Sequence, residues 1–521
     1  MRSVGTVLAL VVLATLVATF ARRWRIPAPS LLVVAGLAVA LLPGTPQIEI
    51  NPGIIGLVVL PPLLYASAEE LSWRELRAVW KPVGVLSTGL VLASAAAVAW
   101  VASLVTPLSW PTAFVLGAVL ASTDPVAVTA LGRRLALPPK VQVLVQAESL
   151  FNDATSLVLF RVAVSIAVAA AATGPGAAGG EFLLLAGGGT VIGAAVAAVV
   201  ALIRRRTEDP VLETVIALVT PYAAYVLAEG AHTSGVTSVV VAGVVLGGRG
   251  DRLTNARIRL QLHAVYGTVV FLLESVVFSL IGLALPAQVR ALSDTDRAWP
   301  LYALAVAGTL VAVRLLWLVP LSAVVQREGG TGRMNWRVPL VLTWAGTRGV
   351  VPLAAALSVP ESLAGRPLIL VLTTSVVVVT LVVQGFSLAS VVRRSGIALE
   401  PAHTEREEAS ARCRLANAGL GRLDELSELE AVPDVVLDRL RRGLTARLDD
   451  ARDRLAEPDD GNGATTGTES ADVVYRQLRR DLIAVEGAEL QTLYDEHRIS
   501  DTTRRRLRRS LDLEEARLTD A

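Results

Sequence analysis

Glu148, Ser149, Asn152 and Asp153 fall in one stretch, QAESLFNDATSLVLF (146–160), inside a long apolar run. At helical spacing Glu148 and Asn152 share one face (i, i+4), and Ser149 and Asp153 share the neighbouring one. A charge at the centre of a bilayer costs at least ~2.5–3.5 kcal/mol, so two acids here require partners or a task. Acids in membrane helices mark ion or proton paths; the alternative is that both only hold helices together. A second constellation, ASTDPVAV (121–128), sets Ser122, Thr123 and Asp124 just before Pro125. Proline lacks an N–H and removes a helical hydrogen bond, and carbonyls freed in a broken helix can coordinate a cation. A third is WAGTRGVVP (344–352), where Gly346, Gly349 and Pro352 weaken a helix around Arg348. Two further charges lie in apolar runs. Glu274 serves either helix packing or an ion path; Arg314 either pairs with an internal acid or snorkels inward, and is with Glu274 a candidate for the ion path.

The elements that must hold these residues are membrane helices. The chain has 521 residues, of which 53% are hydrophobic, and its mean hydropathy is +0.56. This is an all-α polytopic membrane protein. The net charge of +2 gives no reason to expect a nucleic acid, and the lone cysteine, Cys413, excludes an internal disulfide framework. No P-loop, zinc cluster, nucleophile–base pair or cofactor motif is visible, which argues against an ATP-driven pump or a membrane enzyme.

Thirteen apolar spans follow one another between residues 4 and 392. Loops on one side are basic: ARRWR (21–25), WRELRAVWK (73–81), GRRLALPPK (132–140), RGDRLTNARIRL (249–260) and RRSG (393–396) among them. Those on the other side are nearly free of Lys and Arg, the loop with Arg290 and Arg297 being the weakest case. The positive-inside rule then places the N-terminus outside and the C-terminal tail in the cytoplasm. Asp153 lies thirteen residues past Lys140, about 20 Å along a helix. The same count puts Asp124, Glu274 and Arg348 near mid-depth in a ~30 Å core, the depth at which carriers place ion sites. Spans 5 (112–131) and 12 (338–359) both carry breaks and are seven apart, so they run in opposite directions. Corresponding helices of two six-helix inverted repeats behave that way.

These motifs, with LPPLLYASA (60–68), PYAAYVLAEGAHTSGVTSVVVAGVVLG (221–247) and GTRGVVPLAAAL (346–357), resemble the electroneutral branch of the cation/proton antiporters. That branch includes prokaryotic sodium/proton antiporters and the animal sodium/proton exchangers. The resemblance covers about residues 1–392. It implies a homodimer, with each chain divided into a dimerisation domain and a mobile core. It implies Na⁺ binding at Asp153, with Asn152, Ser149, Thr123 and Asp124 nearby, and a structural pair between Glu148 and Arg348. An Asn–Asp pair in place of two Asp residues is similar to members that exchange one cation for one proton. Where many relatives carry a carboxylate in the third span, this chain has Ala66 and Ser67.

The expectation is therefore a cell-membrane antiporter exchanging Na⁺ for H⁺, electroneutral, with K⁺/H⁺ exchange as the alternative. A cation channel is the rival class, but neither a repeated filter sequence nor a ring of acids is visible. The transmembrane domain spans 1–392. Residues 393–521 form a tail of amphipathic helices with a flexible linker at 457–470, rich in Glu, Asp and Arg with spaced Leu.

Overall fold

A computed structural model describes residues 2–24, 27–43, 53, 55–71, 73–124, 139–169, 175–207, 209–248, 256–293, 296–328, 336–396, 401–429 and 434–456, and scattered residues between 479 and 515. Pro125, the basic loops at 132–138 and 249–255, and the linker at 457–470 lie outside the described residues. The chain divides into two compact units, residues 1–401 and 402–521.

Among the described residues of the first unit the regular secondary structure is helical, joined by short turns, with one isolated backbone bridge. In chain order it contains α1 (Arg2–Trp24), α2 (Ala28–Ala40), α3 (Ile55–Glu69), α4 (Leu76–Val105), α5 (Trp110–Leu120), α6 (Pro139–Ala169) and α7 (Pro175–Arg204). These are followed by α8 (Pro210–Gly230), α9 (Gly235–Gly247), α10 (Ala256–Arg290), α11 (Trp299–Glu328), α12 (Arg337–Trp344), α13 (Val350–Leu357) and α14 (Arg366–Ser395). Among the described residues seven helices are long and apolar enough to cross a membrane: α4, α6, α7, α8, α10, α11 and α14. Shorter apolar helices lie in α1, α2, α3, α5 and α9.

Local chemistry sets several boundaries. Asp209 caps α8, accepting hydrogen bonds from the N–H groups of Val211 and Leu212, and Pro210 occupies the first helical position, where no donor is needed. Ser234 caps α9 through Thr237 N. Gly396 ends α14 at φ 63°, and Arg393 and Arg394 sit in the last turn, against the negative end of the helix dipole.

The apolar core is divided. One cluster joins α2, α3, α7, α8, α9 and α10, through residues such as Leu32, Tyr65, Ala197, Ala224, Val239 and Phe278. A second joins α4, α5, α11 and α14, through Val98, Leu116, Val306 and Leu372. α6, like α4, α13 and α14, belongs to both: its Ala147, Leu150 and Ala154 pack into the first, while its Leu159, Phe160 and Ala163 pack into the second. The helix that carries Asp153 thus runs along the seam between two packed groups.

The second unit holds α15 (Pro401–Leu429, from Ala402 onward) and α16 (Asp434–Ala456). Ala409, Ala416 and Leu423 of α15 are buried, as are Leu448 and Ala451 of α16. Exposed pairs such as Arg441–Asp424 (2.6 Å) and Arg454–Asp450 (3.3 Å) decorate their polar faces.

Candidate cation site

The site begins where two helices stop. α5 ends at Leu120, and Ser122, Thr123 and Asp124 continue outside helix. α12 ends at Trp344 and α13 starts at Val350, leaving 345–349 between them. The two interruptions meet. Asp124 N donates to Thr347 O at 2.8 Å, and Thr347 Oγ1 donates to Asp124 O at 2.8 Å, forming an isolated antiparallel bridge. Each break supplies partners for the backbone groups that the other has lost, as burial requires.

Two glycines permit this crossing. A Cβ on Gly349 would fall 1.4 Å from Asp124 Oδ2, and one on Gly346 would fall 2.6 Å from Arg314 Nε. No side chain fits at either position without displacing a charged group.

α6 is stitched to the end of α5 and the residues that follow it by a polar stripe. Ser149 Oγ donates to Thr123 O (2.5 Å), and Asn152 Nδ2 donates to Thr123 Oγ1 (3.2 Å). Asp153 Oδ1 accepts from Ser122 Oγ (2.7 Å), and Ser156 Oγ donates to Ala118 O (2.8 Å). Positions 149, 152, 153 and 156 follow the i, i+3, i+4, i+7 pattern of a single helix face. Ser156 and Ser122 were not among the expected site residues. Ser156 was legible as the next member of the stripe. Ser122 was not, because the direction of a side chain on non-helical backbone has no period.

Asp153, Asp124, Glu274, Ser122, Thr123 and Ser67 line one cavity of about 60 Å³, large enough for a few waters or a partly hydrated cation. Among the described residues neither Asp153 nor Glu274 has an ion-pair partner. Ser149 and Asn152 do not line the cavity; they hold the break that does. Glu274, on α10, is brought to the same cavity as Asp153. From the third span Leu60, Leu63, Leu64 and Ser67 reach the cavity, so the polar contribution there comes from a hydroxyl-bearing residue.

The expected pairing of Glu148 with Arg348 is corrected. Glu148 takes a bidentate contact from Arg314 of α11, Nη1 to Oε1 at 2.5 Å and Nη2 to Oε2 at 2.9 Å. Arg314 Nε also donates to Leu342 O at 3.0 Å. Arg348 donates instead to backbone: Nε to Leu120 O at 2.8 Å and Nη1 to Gly346 O. The physical reason lies in the break. Leu120 is the last residue of α5, and the C-terminal end of a helix carries unpaired carbonyls and partial negative charge. A guanidinium placed there needs no carboxylate. Arg314 is thus held in a buried ion pair, not on the cavity wall.

Residues 9–394 match the family model described as sodium/hydrogen exchanger, transmembrane. The chain belongs to that family. An uncharacterized Na(+)/H(+) exchanger of Mycobacterium tuberculosis is 35% identical over 99% of this chain and 97% of its own length. A low-affinity Na(+)/H(+) antiporter of Synechocystis, NhaS1, is 33% identical over 82% of this chain and 80% of its own. Among solved structures, the sodium proton antiporter MjNhaP1 of Methanocaldococcus jannaschii superimposes with a TM-score of 0.61. At 21% identity, over 77% of this chain and 98% of that one, it shows the same fold. This member of the exchanger family is therefore a multi-pass membrane transporter with an antiporter fold, and the cavity where Asp124 and Thr347 cross is its candidate cation site.

Proposed function

We propose that the chain exchanges Na⁺ for H⁺ across the cell membrane, one for one, by alternating access, with Asp153 as the shared carboxylate. The observation that carries this reading is Asp153 itself. It is buried on α6 beside the breaks in neighbouring helices, faces a small cavity that Asp124 and Glu274 also line, and has one hydroxyl donor and no ion-pair partner among the described residues. Such a carboxylate has its charge unmet until a cation or a proton arrives. Either can neutralise it, and both cannot occupy it together. If the carrying body moves only when Asp153 is neutralised, that competition couples the two fluxes. Asn152 beside it adds no second charge, which supports an electroneutral exchange.

Asp124, Thr123 and Ser122 are the proposed further groups around the ion, with Glu274 on its path. Ser149 and Asn152 support the site by fixing Thr123. The relatives named for Na(+)/H(+) exchange support Na⁺ as the cation; K⁺/H⁺ exchange is the second reading. The breaks at 121–124 and 345–349 support two inverted six-helix repeats in thirteen crossings, with the N-terminus outside and a cytoplasmic tail beyond the transmembrane domain. We place the working unit as a homodimer in lipid, as the family resemblance implies. The test is purified protein in proteoliposomes with an imposed ΔpH. Addition of Na⁺, K⁺ or Li⁺ in turn should dissipate the gradient, Na⁺ most effectively. A gradient untouched by every cation would overturn the assignment.

A further inference from the structure

Beyond the cavity, α6 makes polar contacts with helices of the first core cluster on both sides of Asp153, among them Ser165 Oγ donating to Glu181 Oε2 of α7 at 3.4 Å. Eight residues after Asp153, about 12 Å along the helix, Arg161 Nη2 donates to Glu229 Oε1 of α8. Arg161 Nη1 donates to Thr233 O, between α8 and α9, at 3.4 Å. Seven residues before Asp153, about 10 Å the other way, Gln146 Nε2 donates to Glu70 Oε2 at 3.3 Å and to Ser67 O at 3.5 Å, at the end of α3. The stripe 149/152/153/156 binds α6 to α5, so α6 and the crossing form one body. Arg161 and Gln146 are where that body reaches across to α8–α9 and to α3.

The Arg161–Glu229 contact is built to open. Its side chains are 36% and 32% exposed, against 3% and 1% for Arg314 and Glu148. A half-exposed pair separates at little cost, whereas a buried pair leaves an uncompensated charge when broken. Glu229 also has a second partner: its Oε1 accepts the N–H of Gly235, the first residue of α9, at 3.1 Å. When Arg161 leaves, the carboxylate stays satisfied by the N-terminus of α9.

We propose that Arg161 and Glu229 form a latch between the body carrying Asp153 and the α8–α9 pair. The latch is closed in this state and opens once in each cycle, when the Asp153 cavity turns to the side on which Arg161 lies. In the orientation proposed above, that side is the outer face. The opposing Gln146–Glu70 contact, neutral on one side and longer, is the weaker of the two. This inference rests on the alternating-access reading and names the contact that it must break.

The test uses the full chain in a Cys413→Ser background. Joining Arg161→Cys/Glu229→Cys with a short bifunctional maleimide should abolish exchange at least ten-fold, while the same protein left unjoined exchanges. Exchange that continues after complete joining overturns the latch. A second measurement needs no transport. A Leu63→Cys reporter on the cavity wall is labelled by an impermeant maleimide from the outer face, with Leu60→Cys as a second reporter on the same wall. Adding Arg161→Gln should raise the labelling rate at least three-fold, and an unchanged rate overturns the latch. Absence of exchange in the unmodified protein would count against the antiport reading instead, leaving the labelling rates to decide the latch.

Discussion

Two charged regions of the transmembrane unit lie a few residues apart on α6 and are built in opposite ways. Around Glu148 every charge is answered. Arg314 covers both carboxylate oxygens, and Arg348 nearby is spent on the carbonyls of Leu120 and Gly346. Around Asp153 the partner is a serine hydroxyl and the neighbours on the cavity wall are two more carboxylates, Asp124 and Glu274. The first arrangement has no reason to admit an ion, because a paired and hydrogen-bonded charge in a dry site gains nothing from one. In the second, a buried carboxylate with no ion pair among the described residues faces a cavity, so a cation or a proton can complete it. The difference teaches that an acid inside a membrane protein is classified by its partners and not by its depth: Glu148 and Asp153 are five residues apart on the same helix.

The comparison breaks most sharply at Asp153. Asp153→Asn should insert and fold normally and lose Na⁺-dependent proton flux by about a hundred-fold or more in proteoliposomes. Retention of wild-type flux would put the ion elsewhere. Next in size is the pair. Removing one partner, as in Glu148→Gln or Arg314→Met, should cost ~3–5 kcal/mol of stability, because a buried charge is left alone. Thermal unfolding in detergent reads this. The swap Glu148→Arg/Arg314→Glu should recover part of the loss and Glu148→Arg/Arg348→Glu should not; recovery with Arg348 alone would restore the pairing expected from the family. Gly349→Ala should reduce exchange at least ten-fold, since its Cβ would displace Asp124, with less effect on the amount of folded protein.

Smaller effects sharpen the picture. Glu274→Gln should change the apparent KM for Na⁺ by a few-fold and leave exchange running, as expected of a group on the path and not at the ion. With ΔpH held, a change of membrane potential should leave the exchange rate unaltered; a voltage-dependent reversal would show net charge movement and end the one-for-one reading. Smallest of all is the tail. A chain ending at Pro401, the boundary between the compact units, should retain measurable flux. A truncated protein that inserts normally yet carries no flux would show that the tail belongs to the mechanism.

Much of the site was legible before the structure. Asp124, Asp153 and Glu274 stood out because carboxylates are costly in apolar runs, and helical rise placed them at one depth. The two breaks were marked by proline and glycines at matching places in the chain, though nothing in the sequence said that they meet. What misled was the partner of Glu148. Arg314 and Arg348 are both single arginines in apolar helices, and neither spacing nor composition says which of them reaches α6. The roles of Ser149 and Asn152 were blurred for a related reason: both lie within a turn of Asp153, and proximity along a helix does not tell a residue on the cavity wall from one that braces it.

By itself the sequence determined that the molecule is an all-helical membrane protein, that its helical pattern weakens near 121–124 and 345–349, and which acids border those places. These follow from local chemistry: the burial of apolar runs, the missing proline N–H, the freedom of glycine, and the cost of charge in lipid. The tertiary structure alone decided that Thr347 closes on Asp124, that Arg314 takes Glu148 while Arg348 caps α5, and that Ser122 is the hydroxyl facing Asp153. Each of these joins residues distant in the chain, and no local pattern carries the contact. Hydrogen-bond geometry in a packed interior chooses one partner among several of the same type, and that choice is made only when the helices are in place.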